Sequence, residues 1–228
     1  MRSDHLALVG TGGLALVSAC AQPITQAWPV EGPGDVVAVA TPALAGWYAA
    51  ANAAADSIEI RDINGVLSRE ITRAEMVGLL PWMSLGPGFD GPDALAWSDS
   101  GRLLFILVHD ANPAPGAQPR DAILRYDAGT DTLTVFYRLE LFDRDDEPPR
   151  LAAAHFKGRL YVGTYGFGGA GSIKVIQAGA NAAIGVLLSS ANLPSGTSVH
   201  GLAIDRANSF LYAASESSVF FRARRTFA

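Results

Sequence analysis

One pattern recurs four times in this chain. With Leu44, Gly101, Gly158 and Asn208 aligned, the flanking residues repeat their roles. Eight or nine positions earlier stand Asp35, Asp93, Arg150 and His200. Just after come apolar runs: Gly46-Trp47-Tyr48-Ala49, Leu103-Leu104-Phe105-Ile106, Leu160-Tyr161-Val162 and Phe210-Leu211-Tyr212-Ala213. A third run follows at Ile58-Glu59-Ile60, Ile123-Leu124-Arg125-Tyr126, Ile173-Lys174-Val175 and Val219-Phe220-Phe221. The period of roughly 50 to 57 residues is the scale of a β-propeller blade.

The expected fold is therefore all-β, a propeller of about four blades over residues 35–228. The blades fall at about 35–80, 92–140, 150–190 and 200–228. One sheet cannot cover both of its own faces, so each blade needs its neighbour. Inner strands are expected at 36–40, 94–97, 151–155 and 201–204. The turn Asn64-Gly65 joins two strand-like runs, a strong hairpin signal. A short helical turn is expected over 74–80. The outer strand of blade three is expected at 183–188 and the third strand of blade four at 218–222. Blade four lacks a fourth strand. Either the segment before Asp35 supplies it, or the chain is a piece of a six- to eight-bladed ring. The second is favoured, because an open array exposes strand edges.

The remaining 34 residues read as an address. Arg2 and His5 precede an apolar stretch from Leu6 to Val17, too short to span a bilayer. Residues 1–19 read as a secretory signal. Val17-Ser18-Ala19-Cys20 resembles a bacterial lipobox. That resemblance implies lipidation of Cys20 and a periplasm-facing lipoprotein held to the membrane by its lipid alone. Ala21 after the cysteine points to the outer membrane. Residues 20–34, punctuated by Pro23, Pro29 and Pro33, read as a tether.

The formal charge is −5, and the one basic cluster, Arg222 to Arg225, reads as a solvated end. Nucleic acid is not an expected partner, since its ligands carry a basic face. The single cysteine excludes an intrachain disulfide.

In propeller geometry the loop entering the inner strand and the loop leaving the second strand open on one face. Asp35, Asp93, Arg150 and His200 would ring that channel mouth, joined by His109, Asp110 and Tyr165. Carboxylates there suit a divalent cation such as calcium, and imidazoles suit transition metals. Asp35, Asp93 and His200 are the candidate metal ligands. Arg150 opposes a cation and suits a small anionic ligand. His155 ends an inner strand and should face the opposite side. The acidic run Asp143 to Glu147 lacks the glycine of a calcium loop. The glycine-rich 166–171 stretch lacks the Lys-Ser/Thr and helix of a phosphate loop. Trp82 and Trp97 suit the core better than the rim.

Asp93-Ala94-Leu95-Ala96-Trp97-Ser98-Asp99-Ser100-Gly101-Arg102-Leu103-Leu104-Phe105 and His200-Gly201-Leu202-Ala203-Ile204-Asp205 resemble blades of the NHL and lactonase-like propeller superfamily. In its lactonase-like members, acidic and Asn residues at the channel mouth bind a divalent metal. The matching positions here are Asp35 and Asp93, whereas Arg150 and His200 depart from that set. Two functions are left open: a non-enzymatic module binding a protein partner or small ligand, and a metal-dependent lactonase or esterase. The expected catalytic residues are none under the first reading, and no cofactor is implied beyond the cation.

Overall fold

The computed structural model describes residues 8–10, 13–15, 36–40, 47–52, 56–62, 64–81, 92–109, 121–139, 152–163, 171–192, 199, 201–206, 210–214 and 221–224. A short hairpin, β1 (Leu8–Gly10) and β2 (Gly13–Ala15), lies within the stretch read as a signal. Blade one is β3 (Val36–Ala40), β4 (Trp47–Asn52), β5 (Ser57–Asp62) and β6 (Leu67–Ile71), followed by helix α1 (Arg73–Leu79). Blade two is β7 (Pro92–Trp97), β8 (Leu103–His109), β9 (Asp121–Asp127) and β10 (Thr132–Leu139). Blade three is β11 (Ala152–Phe156), β12 (Arg159–Gly163), β13 (Ser172–Gln177) and β14 (Val186–Asn192). Blade four contributes β15 (Gly201–Asp205), β16 (Phe210–Ala214) and β17 (Phe221–Arg224).

Within each blade successive strands pair antiparallel in chain order. The innermost strands β3, β7, β11 and β15 stand beside one another in that sequence. Meanders stacked through their inner strands are the blades of a β-propeller.

The run Leu103-Leu104-Phe105-Ile106-Leu107-Val108 shows why the blades stack. It is apolar throughout because β8 is covered on both faces, and all six residues are buried. Alternate side chains of a strand point opposite ways. Leu104, Ile106 and Val108 join Leu95, Trp97, Ile58 and Ile60 in the core between blades one and two. Leu103, Phe105 and Leu107 join Ala94, Ala96, Leu160 and Val162 between blades two and three. Tyr161, Ile173 and Val175 turn the other way and meet Leu202 and Ala213 of blade four. Trp97 is thus a core residue. The small Ala94 and Ala96 leave room for the neighbouring blade where inner strands converge.

Backbone constraints mark the tight places. A Cβ on Gly163 would stand 2.3 Å from Val199 Cγ1, and one on Gly185 would stand 2.8 Å from Ile176 Cγ2. The Gly185 amide donates to Phe136 O at 2.7 Å, tying blade three to blade two. The Lys157-Gly158 hairpin has positive φ at both residues, 49° and 71°, as a two-residue type I′ loop requires.

Several boundaries differ from expectation. The outer strand of blade three is β14, starting at Val186 instead of 183, because Gly179 to Ala182 form a turn closed by the Ala182 amide on Gly179 O. Its polar Ser189 and Ser190 concealed its length. The helix begins at Arg73, one residue early, because Thr72 and Glu75 form a reciprocal capping box. Arg222 and Arg224 lie in β17, paired with Tyr212 and Phe210, and the strand starts three residues later than expected. Helix α1 is far too short to cross a membrane, and no helix among the described residues can.

Candidate functional site

Cys20, Asp35, Asp110, Arg150, Tyr165 and His200 lie outside the described residues. So do Trp82, the acidic run 143–147 and most of the glycine-rich 166–171 stretch. The backbone does place Asp93 and His109. Asp93 is the second residue of β7 and His109 the last of β8. Pro92 pairs with Val108, so both residues lie at one end of the blade, together with Asp121, the register partner of His109. The ladder is irregular between Pro92 and Ala94, which puts Asp93 at a β-bulge. Blade three repeats the plan, with Ala152 of β11 opposite Gly163 of β12, and blade four pairs Gly201 with Ala214. Inner-strand starts therefore accompany second-strand ends. Among the described residues no group of three His, Cys, Asp or Glu side chains could hold a metal.

The best-defined polar constellation lies at the other end of the inner strands. Asp99 sits in the β7–β8 turn, Phe156 closes β11, and Arg206 follows β15. The Arg206 guanidinium donates to Asp99 Oδ1 and, at 3.2 Å, to the His155 carbonyl. The Lys157 amide donates to Asp99 Oδ2 at 2.5 Å. Arg206 Cζ stands 5.6 Å from the centre of the Phe156 ring, and Lys157 Nζ stands 5.0 Å from it. One carboxylate in blade two thus holds a backbone amide of blade three and a guanidinium of blade four.

His155 lies beneath this joint, its ring 5.4 Å from and nearly parallel to Phe105 of blade two. Its Nε2 is 3.0 Å from the Ala178 carbonyl. A carbonyl only accepts, so Nε2 carries the proton and Nδ1 presents a lone pair. That Nδ1 is buried without a hydrogen-bond partner among the described residues, 3.7 Å from Asp99 Oδ1. Burial pushes the imidazole below its ordinary range, against the pull of the Ala178 carbonyl and the Asp99 carboxylate. His155 does lie near the end of an inner strand away from the Asp93 rim, one residue before Phe156 closes β11, but it is packed between blades.

The joint escaped sequence reading although the repeat marks it. Asp99, Phe156 and Arg206 each stand two positions before the aligned Gly101, Gly158 and Asn208. An acid, a ring and a base at equivalent points of successive blades were the signal. A second tie joins blades one and two at the periphery. Arg69 of β6 donates to Asp131 at 3.0 Å and also binds Glu75, and the Tyr126 hydroxyl donates to Asp131 at 3.0 Å.

No family model matches the chain, and no curated protein matches it. Solved structures do. The complex of KlAtg21 with the coiled-coil of AgAtg16 is 12% identical, covers 86% of this chain and 54% of that one, and has a TM-score of 0.57. Hydrazine synthase of Kuenenia stuttgartiensis is 13% identical over 84% of this chain and 59% of that one, with a TM-score of 0.55. The nidogen/laminin complex is 15% identical over 80% and 58%, with a TM-score of 0.53. The chain spans between half and three-fifths of the length of these relatives in shape, and at such identities the likeness is one of fold.

Proposed function

We propose that this propeller is a binding module without chemistry of its own, taking a protein partner at the rim where the inner strands begin. The observation that carries the reading is the placement of Asp93 and His109 at one end of blade two, where inner-strand starts meet second-strand ends. Loops gathered on a rigid scaffold are where recognition concentrates. Two of the structural relatives are complexes with another protein. The lipobox-like Val17 to Cys20 would hold the module at the cell envelope, facing the periplasm.

The test uses the full-length protein in its own envelope. A photoreactive residue at position 109 is expected to crosslink a protein, and one at position 188 on the outer strand is not. Equal labelling at both positions, or none at 109, overturns the reading. Replacing Cys20 by Ser should release the protein from the membrane fraction.

One observation favours a second reading, the metal-dependent hydrolase of lactonase type with Asp35, Asp93 and His200. Asp93 occupies a β-bulge, a device that re-aims side chains beside active sites. Calcium-dependent ester or lactone turnover that disappears in Asp93→Ala would establish it. Turnover unchanged by that substitution would remove it.

A further inference from the structure

We propose that His155 makes the joint between blades two, three and four acid-labile: the joint closes around a neutral imidazole and loosens when a proton enters at Nδ1. The geometry fixes which nitrogen is concerned. Nε2 already donates to Ala178 O at 3.0 Å, so only Nδ1 can gain a proton. That atom is buried, and the ring lies flat on Phe105 at 5.4 Å with the planes 8° apart. A charge there loses nearly all of its hydration.

Among the described residues, charged groups approach the ring from three elements. From blade two, Asp99 stands 3.7 Å from Nδ1 and would welcome the proton. Its carboxylate is already committed, however, to the Lys157 amide and the Arg206 guanidinium. From blade four, Arg206 is bound to the carbonyl of His155 itself, so an imidazolium would place two positive charges side by side. From the histidine's own hairpin, the Lys157 ammonium stands over the Phe156 ring, 5.0 Å from its centre. Phe105 and Ala178 bring no charge. Burial, helped by Arg206, thus opposes the Ala178 carbonyl and one shared carboxylate.

The sign follows. A base whose native form binds its proton more weakly than the unfolded chain loses native stability as pH falls below the ordinary imidazole range. The carboxylates Glu75, Asp127 and Asp131 are held below their usual range by Arg69, Arg102 and Arg69 respectively. They stay charged in this window and do not confuse it.

The experiment compares the wild-type protein with His155→Gln, whose amide can still donate to Ala178 O but cannot ionise. Melting temperature and exchange of the Lys157 amide are followed from about pH 7 to about pH 5. The wild type is expected to melt earlier on acidification and to lose protection at the Lys157 amide, measured against the intrinsic exchange rate at each pH, and the variant to change by less than half as much. Equal responses overturn the proposal, as does a wild type that gains stability. Should the variant fail to fold, the imidazole of native His155 is titrated by nuclear magnetic resonance. A midpoint below that of the unfolded chain supports the proposal, and a midpoint at or above it refutes it.

Discussion

Arg206 in blade four holds Asp99 in blade two by passing over the ring of Phe156 in blade three. These three residues occupy the same point of successive repeats. Inner strands converge towards the axis, so turns two blades apart come within reach of one long side chain. An ion pair between partly exposed groups is worth little by itself. Here it also fixes the Lys157 hairpin, whose amide shares the same carboxylate. The joint gives this end of the array one geometry.

Blade stacking rests on side chains buried on both faces of β8. Phe105→Ala should cost about 3–5 kcal/mol, and Leu104→Ala about 2–5 kcal/mol. Both face different neighbours, yet both should lower the denaturant midpoint strongly. Leu188→Ser on the exposed outer strand should move it hardly at all, because that side chain is 47% exposed. Equilibrium unfolding in urea measures all three.

Gly163→Ala brings the closest contact of any glycine-to-alanine change among the described residues. The new Cβ would lie 2.3 Å from Val199 Cγ1 and 2.6 Å from its Cβ, so the segment at Val199 must move. Overpacking of this kind costs about 1–3 kcal/mol. The companion change Val199→Ala removes the nearest atom and should recover part of the loss in Gly163→Ala, a non-additivity that a double-mutant cycle reads.

Acid should weaken the peripheral tie as well, in a lower window. Arg69 draws the carboxyls of both Glu75 and Asp131 below their usual range, helped by Thr72 at Glu75 and Tyr126 at Asp131. Such groups stabilise the fold above the ordinary carboxylate range and lose that contribution as pH falls through their native values. Melting temperature should therefore drop again below about pH 4 in the wild type, and less steeply in Arg69→Ala.

Much of the fold was legible from the residues. Runs such as Leu103 to Val108 are apolar at every position, as a strand covered on both faces requires, and their spacing gave away the blades. The inner strands of blades two to four fell within two residues of expectation. Edges were harder. Strand β14 carries Ser189 and Ser190, and β17 carries Arg222 and Arg224, so polarity hid them where hydrogen bonding alone defines a strand. The helix start was readable in Thr72 and Glu75, whose spacing of three is that of a capping box. At the site the periodicity located Asp93 and His109 at a common end. It did not reveal that Asp99 and Arg206 meet, since opposite charges more than a hundred residues apart become neighbours only once the blades are stacked.

The convergence of Asp99 and Arg206 tests the stacking order most directly, through a double-mutant cycle. Unfolding free energies of the wild type, Asp99→Ala, Arg206→Ala and the double variant yield their coupling. The account predicts a favourable coupling of at least about 0.5 kcal/mol that shrinks in high salt. Strictly additive losses would contradict the joint between the turns of blades two and four.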